Sequence, residues 1–124
     1  MTISTSDYTA NLGRETAAMH DYIMGSGRAA EHPKGHTKKV LRYRTRCGTE
    51  VAVVKSLGAP CMYYARIVAE GRIDHLSPEY MPASVTGRNS NLHAMETFRG
   101  RALARLKISR PEIGREAFDA CIVR

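Results

Sequence analysis

Three arginines occupy alternate positions in one short segment of the chain, at residues 42, 44 and 46. Side chains two residues apart on a β-strand stand on the same face, about 7 Å from each other. That distance is close to the spacing of phosphates along a single nucleic-acid strand, and guanidinium groups bind phosphates well. The pattern therefore predicts that Arg42, Arg44 and Arg46 contact phosphates. The alternative is a solvated strand whose arginines prevent edge-to-edge aggregation.

The segment just before these arginines, residues 28–39, adds further positive charge. It contains four Lys or Arg residues, two histidines, a proline and a glycine. This composition predicts an exposed basic loop or flexible arm that needs a partner to become ordered. Because the arm adjoins the arginines, we include Lys34, Lys38 and Lys39 in the predicted contact surface for nucleic acid or an acidic protein.

An aromatic side chain in the same predicted sheet could add base stacking. Residues 61–69 alternate as a strand does, and this alternation puts Tyr64 on the same face as Arg66. We expect both to point outward, where Tyr64 could stack on a base and Arg66 could contact a phosphate. Tyrosine is also common in strands because it packs well, so a purely structural role is the alternative.

The whole chain carries 19 Lys and Arg residues against 12 Asp and Glu residues, a formal net charge of +7. Exposed cations gain free energy when they replace the counterions condensed on nucleic-acid phosphates. We therefore predict a small DNA- or RNA-binding protein that contacts phosphates without strong base readout. The alternative is a protein–protein interaction factor, such as a phage-encoded inhibitor that binds a larger nucleic-acid-handling complex through an acidic surface.

A third hypothesis is a metal-independent ribonuclease. His75 or His93 would act as the general base, with Arg66 and Tyr64 near the phosphate. Nothing in the spacing of these residues brings them together, and the chain lacks phosphate-binding loops, dinucleotide-binding fingerprints and nucleophile elbows. We therefore predict no catalytic residue and favour a binding protein over an enzyme.

Zinc-binding residue types occur in the sequence without the spacing of a zinc site. His32-Pro-Lys-Gly-His36 is followed by Cys47 and Cys61, and imidazole and thiolate groups both bind zinc. Structural zinc sites pair close ligands at both ends, whereas these two cysteines are separated by 13 residues. We therefore expect neither a metal ion nor another cofactor.

The cysteines and the apolar runs predict the compartment. Three cysteines, without dense spacing, disfavour a secreted disulfide scaffold and favour a reducing environment. The first residues have neither the basic nor the apolar region of a secretory signal. The longest aliphatic run, residues 51–54, is far shorter than the roughly 20 residues that a membrane helix needs. We expect a cytoplasmic protein that contacts no membrane.

Hydrophobic periodicity places the basic segment in a small sheet. Residues 40–55 alternate in side-chain character on either side of a turn at Cys47-Gly-Thr49, which predicts a β-hairpin. Residues 61–69 predict a third strand, and residues 72–76 a short fourth strand. Residues 77–90 form a long loop that is suited to binding.

Helical periodicity occurs on both sides of this sheet in the sequence. Residues 5–24 predict an N-terminal helix, residues 91–107 a long helix, and Pro111 lies in the first turn of a short C-terminal helix. We expect one α+β domain over residues 1–124: an antiparallel sheet of three to four strands covered by the long helix. The other face would be left for solvent, a partner or a second copy in a homodimer.

Overall fold

Six antiparallel strands form one sheet at the centre of the structure, a computed structural model that describes residues 14–37, 39–46, 48–55, 59–82, 92 and 95–122. In chain order the strands are β1 (Ala29–Glu31), β2 (Val40–Thr45), β3 (Glu50–Val54), β4 (Cys61–Ala65), β5 (Glu79–Met81) and β6 (Leu103–Lys107). Their order across the sheet is β1-β2-β3-β4-β6-β5. The two edge strands, β1 and β5, are each three residues long.

Helices cover one face of this sheet. α1 (Arg14–Gly25) and α3 (Pro111–Ile122) pack against each other, while the single-turn α2 (Arg66–Ala69) follows β4 directly. A 3-10 turn at Asp74–Leu76 precedes β5. Alternate strand residues and the inward sides of both long helices form the larger core, which includes Ile23, Tyr43, Val53, Tyr64 and Phe118. Within the described ranges, no helix has the length and apolar character needed to cross a membrane.

The opposite face of the sheet is also covered. Alternate strand residues such as Val40 and Ala52 form a second buried cluster with Leu92, Met95 and Phe98. Backbone hydrogen bonds from Met95 to Leu92 and from Phe98 to Met95 fold this covering segment into turns. The expectation of one uncovered face is therefore wrong, and the prediction of a homodimer loses the observation on which it depended.

The predicted long helix at residues 91–107 is wrong. Residues 95–100 form turns, Gly100 has a left-handed φ of 66°, and Leu103–Lys107 is the strand β6. The apolar positions of this segment suit either a helix or a strand, but the second edge of the buried β4 requires hydrogen-bond partners. β6 supplies them along all five residues of β4. The sheet therefore has six strands, not three or four, and residues 103–107 belong to the sheet instead of covering it as a helix.

Locally determined elements agree better with the prediction. The hairpin at residues 40–55 is confirmed, because β2 and β3 pair in register. The C-terminal helix is confirmed from Pro111 onward. The N-terminal helix ends at Gly25, one residue past its predicted end, and its predicted first nine residues lie outside the described ranges. The strand predicted at residues 61–69 stops at Ala65, and the predicted fourth strand is the 3-10 turn.

The packing of α1 on α3 depends on Gly114, which is buried in α3. A Cβ atom at Gly114 would lie 2.5 Å from Met19 Sδ and 3.2 Å from Ile108 Cγ2. We expect Gly114→Ala to lower the free energy of unfolding by about 1–3 kcal/mol, because overpacking outweighs the better helix propensity of alanine. Gly25→Ala is the control, since a Cβ there meets nothing within 4 Å. Urea denaturation compares the two variants, and equal stability contradicts the prediction.

Candidate anion-binding cleft

An open cleft of about 330 Å³ runs along the edge strand β1 and the end of the β2–β3 hairpin. Among the described residues that line it are three arginines, Arg28, Arg44 and Arg46, and one acidic residue, Glu31. The other lining residues are small or uncharged: Gly27, Ala29, Ala30, Pro33 and Thr45. The cleft thus brings three arginines to one concave surface, and such surfaces bind phosphate or carboxylate groups.

Contacts with the rest of the protein hold two of these arginines. Arg28 Nη2 donates a hydrogen bond to Asp119 Oδ1 at 2.5 Å, and its guanidinium carbon lies 5.0 Å from the centre of the Phe118 ring. Arg44 Nη2 lies 3.3 Å from Glu50 Oε2. The two arginine side chains remain 35% and 34% exposed. Because a guanidinium has five N–H donors and each carboxylate contacts one nitrogen, both keep donors for a ligand.

A buried polar cluster centred on Glu50 supports Arg44. Glu50 Oε1 accepts hydrogen bonds from the backbone amide and the hydroxyl of Thr97, each 2.7 Å long. Glu50 Oε2 accepts from His32 Nε2, whose other ring nitrogen accepts from the amide of Lys34. Burial acts to raise the pKa of Glu50, but the hydrogen bonds from Thr97 and His32 outweigh it and lower that pKa. The sequence pattern does not indicate this cluster, because its members come from separate segments.

Arg42 does not line the cleft. It is 5% exposed, and its Nε and Nη2 donate to the carbonyl oxygens of Gly35 and Lys34 at 2.5 and 2.8 Å. The prediction that Arg42 projects into solvent beside Arg44 and Arg46 is therefore wrong. Strand alternation does put Arg42 and Arg44 on one face, but the loop before β2 folds over Arg42, and a buried guanidinium requires acceptors.

This loop, residues 32–37, wraps around the edge of β2 and is called the β1–β2 loop below. The amide of His32 donates to the carbonyl of Arg42, and the amide of Arg42 donates to His36 Nδ1, both at 2.9 Å. We expected an exposed basic loop or a flexible arm at residues 28–39, and the described part of this segment consists of β1 and a loop that is hydrogen-bonded to β2. Arg42 and the two histidines supply the partners that the prediction assigned to a ligand.

The two histidines of the loop lie on opposite faces of the sheet. His32 contacts Glu50 on the face covered by Leu92, Met95 and Phe98. His36 packs against Tyr43 on the helical face, with 5.3 Å between the ring centres. Because the sheet separates the two imidazoles, they cannot share a metal ion.

His36 belongs to a second polar cluster, next to α1. Its ring centre lies 5.7 Å from that of His20, and His20 Nδ1 lies 2.6 Å from the hydroxyl oxygen of Tyr43. Glu31 Oε1 lies 3.8 Å from His36 Nε2. Burial lowers the pKa of His36 to about 4, although the charge of Glu31 acts in the opposite direction. Burial also lowers the pKa of His20. Both imidazoles are therefore neutral at neutral pH.

We expect the free energy of unfolding to fall by about 2–3 kcal/mol as the pH drops from 6.5 to about 4. In this interval the unfolded chain protonates His36, whereas the folded protein keeps the ring neutral until about pH 4. The unfolded state then binds more protons than the folded state, so stability decreases as the pH falls. Urea denaturation at a series of pH values measures this slope.

The variant His36→Gln tests whether this residue causes the acid sensitivity. We expect a flatter dependence of stability on pH, because the variant has no group at this position that titrates in the interval. His75→Gln is the control, since His75 is exposed and pairs with Glu116 at the surface. A His36→Gln profile as steep as that of the unmodified protein contradicts the prediction.

The predicted lysines do not line the cleft. Lys34 is exposed on the β1–β2 loop, next to a proline that does line the cleft, and Lys39 is exposed just before β2. Lys38 lies outside the described residues. Within the described ranges Arg46 forms no ion pair. Among the described residues of this edge, Lys34 and Arg46 are therefore exposed cations that contact no carboxylate, whereas Arg28 and Arg44 each contact one.

Tyr64 and Arg66 also lie away from the cleft. Tyr64 is fully buried under the helices, so the prediction that it faces outward with Arg66 is wrong. β4 is a central strand covered on both faces, and neither phase of its alternation points to solvent. Arg66 begins α2, where its guanidinium carbon lies 4.6 Å from the centre of the Tyr80 ring and its Nη2 lies 3.4 Å from Glu70 Oε1.

The residues of the ribonuclease hypothesis are not brought together in a cleft. His75 Nε2 lies 2.9 Å from Glu116 Oε2, and both side chains are more than half exposed, at 61% and 55%. The neighbouring Asp74 accepts a hydrogen bond from the hydroxyl of Tyr80 at 2.7 Å. Carboxylates on both sides of His75 repel a phosphate rather than attract it. The other candidate base, His93, lies outside the described residues.

Comparison of the chain with known protein families, with curated proteins and with solved structures finds no match. Among the features described above, the arginine cleft combines an open concave shape with positive charge, so it is the candidate site.

Proposed function

We propose that the protein binds nucleic acid through its phosphates, without strong base readout, and that the cleft along β1 is the main contact. The observation that carries this proposal is the convergence of Arg28, Arg44 and Arg46 on one open cleft, in which Glu31 is the one acidic residue among the described lining residues. The net charge of +7 supports it, because cations that replace condensed counterions on phosphates gain free energy.

Backbone amides at the sheet edge add neutral donors to the cleft. The amide of His32 donates to β2, so by strand geometry the amide of Ala30 also points toward β2. The amides of Ala29 and Glu31 then point away from the sheet, along the cleft. Backbone N–H groups are regular phosphate ligands in nucleic-acid complexes, and they do not distinguish one base from another. This supports binding that follows the phosphates.

We also propose that the protein acts in the cytoplasm. Cys61 and Cys121 are unpaired, buried thiols, as expected of a protein from a reducing compartment. A cytoplasmic protein with excess positive charge has access to nucleic acid, so the compartment and the proposed partner agree.

The second candidate function is that of an interaction protein, such as a phage-encoded inhibitor of a nucleic-acid-handling complex. The exposed edge of β1 favours it, because an extended acidic segment could pair with this strand while its carboxylates contact Arg44 and Arg46. Both functions use the same residues, and they differ in the partner that occupies the cleft.

Fluorescence anisotropy with labelled single-stranded and duplex DNA and RNA, at several salt concentrations, tests the proposal. We expect the affinity to fall steeply as salt increases. The double variant Lys34→Gln/Arg46→Gln should bind more weakly. It should also flatten the slope of log affinity against log salt by about 1.4–1.8, since each lost phosphate contact contributes about 0.7–0.9.

The control variant Arg14→Gln/Arg110→Gln removes the same charge elsewhere. Arg14 begins the twelve-residue α1, roughly 16 Å from the end that leads to β1, and both residues are exposed. We expect this variant to change the slope much less. Equal losses in the two double variants would assign binding to net charge and not to the cleft. No binding to any oligonucleotide, with a stoichiometric protein partner retained from nuclease-treated lysate, would favour the interaction protein.

A further inference from the structure

A second cavity, of about 390 Å³, lies between the end of the β2–β3 hairpin, α2 and the C-terminal end of α3. Its volume falls within the range of small-molecule sites, roughly 300–1,000 Å³. Thr45 and Thr49 line it from the hairpin, Ile67 and Val68 from α2, and Cys121 from α3. Ile122 of α3 and Arg72, which follows α2 in the chain, also line it. The nucleic-acid proposal makes no use of this cavity.

The walls of the cavity are mainly apolar. Ile67 is 79% exposed, an unusual state for a large aliphatic side chain beside a cavity. Burial raises the pKa of the Cys121 thiol to about 11, although the charge of Arg72 acts in the opposite direction. The thiol is therefore neutral and serves as a further weakly polar wall. An apolar ligand group that covered Ile67 would recover hydrophobic free energy.

Arg72 is the charged residue among the described lining residues. It is partly buried, and within the described ranges its guanidinium takes part in no hydrogen bond or ion pair. By contrast, Arg28, Arg44 and Arg66 each contact a carboxylate. A partly desolvated guanidinium without an acceptor is unfavourable, and a bound anion would supply that acceptor.

Hydroxyl groups complete the polar part of the cavity. Thr45 Oγ1 accepts a hydrogen bond from the amide of Thr49 at 3.1 Å, which leaves the Thr45 O–H able to donate. The hydroxyl of Thr49 is a second possible donor in the same lining. The cavity therefore combines a guanidinium and two hydroxyls with aliphatic walls.

We propose that this cavity binds a small organic anion with an apolar body, such as a medium-chain carboxylate. The carboxylate would contact Arg72 and the threonine hydroxyls, and the alkyl chain would lie along Ile67 and Val68. An uncharged apolar ligand would leave Arg72 without an acceptor, and an inorganic anion would leave Ile67 in water. The lining therefore favours a ligand that has both an anionic group for Arg72 and an apolar part for Ile67.

An NMR titration of ¹⁵N-labelled protein with sodium hexanoate tests this proposal. The matched ligands are 1-hexanol, which lacks the charge, and sodium sulfate, which lacks the apolar chain. We expect saturable shifts of the amides of Thr49, Val68 and Arg72 with hexanoate. Hexanol and sulfate should each bind at least about tenfold more weakly than hexanoate, because each forms only one of the two kinds of contact.

Two substitutions separate the two kinds of contact. Arg72→Gln should weaken hexanoate binding about tenfold and leave hexanol binding unchanged. Ile67→Ser should weaken the binding of both hexanoate and hexanol. Arg110→Gln is the charge control, because Arg110 is exposed and does not line the cavity. The spectra report whether each variant folds. If Arg72→Gln does not fold, the affinities of the unmodified protein for hexanoate, hexanol and sulfate test the proposal instead.

Three results would overturn the proposal: no saturable shift at these amides, equal affinity for hexanoate and hexanol, or unchanged affinity in a folded Arg72→Gln. Shifts confined to Arg28, Arg44 and Arg46 would also overturn it, because they would assign anion binding to the cleft alone. Loss of nucleic-acid binding in Lys34→Gln/Arg46→Gln, by contrast, leaves this proposal intact, since neither Lys34 nor Arg46 lines the cavity.

Discussion

Replacing Glu50 with alanine is expected to lower the free energy of unfolding by about 3–5 kcal/mol, the largest effect of a single substitution that we predict. The side chains of Glu50 and His32 are each 1% exposed, so water screens their contact very little. Removal of the carboxylate leaves Thr97, His32 and Arg44 without their shared acceptor. Buried donors that lose an acceptor retain their desolvation penalty, and this penalty appears directly as lost stability.

Urea denaturation followed by circular dichroism measures this effect. Glu79→Ala is the control: Glu79 forms an ion pair with Arg105 at 3.1 Å, but its side chain is 65% exposed. Loss of this surface pair should change the free energy of unfolding by less than about 1 kcal/mol. Glu50→Gln, which keeps the volume and one acceptor oxygen, should fall between the two. If Glu50→Ala is as stable as Glu79→Ala, the buried cluster does not hold the sheet edge.

Replacing Arg42 with glutamine is expected to destabilise the protein by about 2–4 kcal/mol, without changing the salt dependence of nucleic-acid binding in the folded protein. The guanidinium of Arg42 donates to the carbonyls of Gly35 and Lys34, and these contacts hold the β1–β2 loop over the strand. Glutamine is too short to reach both carbonyls, so the loop loses its attachment. Because Arg42 is buried, its charge contributes no phosphate contact of its own.

Arg46→Gln, the matched substitution four residues later, should behave in the opposite way. Arg46 is exposed and lines the cleft, so its loss should leave stability within about 0.5 kcal/mol. It should flatten the salt slope of binding by about 0.7–0.9, the contribution of one phosphate contact. Urea denaturation and anisotropy on both variants test the pair of predictions. A flatter slope with full stability in Arg42→Gln would mean that its guanidinium is on the surface after all.

Arg42 and Arg46 show what strand periodicity can predict and what it cannot. Alternation in residues 40–55 correctly predicts the hairpin, because the two strands pair across a short turn and their register is set by neighbours in sequence. The same alternation correctly puts Arg42 and Arg44 on one face. It contains no information on which distant segment covers that face, and the β1–β2 loop covers Arg42 but not Arg46.

Residues 103–107 show the opposite case. Leu103 and Leu106 fit the apolar stripe of a helix, and no residue of this segment forbids a helix. Gly100, three residues before it, is the nearest residue that disfavours one. The segment becomes β6 because β4, already paired with β3, has a second edge whose amides and carbonyls must be satisfied inside the protein. The exposure of Tyr64 is wrongly predicted for a related reason. Both faces of β4 are covered, so none of its alternating side chains points to solvent.

Local sequence is enough to predict the sign and the concentration of charge, the hairpin, and the helix ends at Gly25 and Pro111. These are properties of single residues or of near neighbours, and local sterics and solvation decide them. Which cations reach solvent together depends instead on long-range packing. Arg28 lies in the cleft through a contact with Asp119, 91 residues away in the chain, and Arg44 contacts Glu50, whose other carboxylate oxygen is bound by Thr97, 47 residues further on. Such contacts depend on how the whole sheet is ordered, and no local pattern encodes that order.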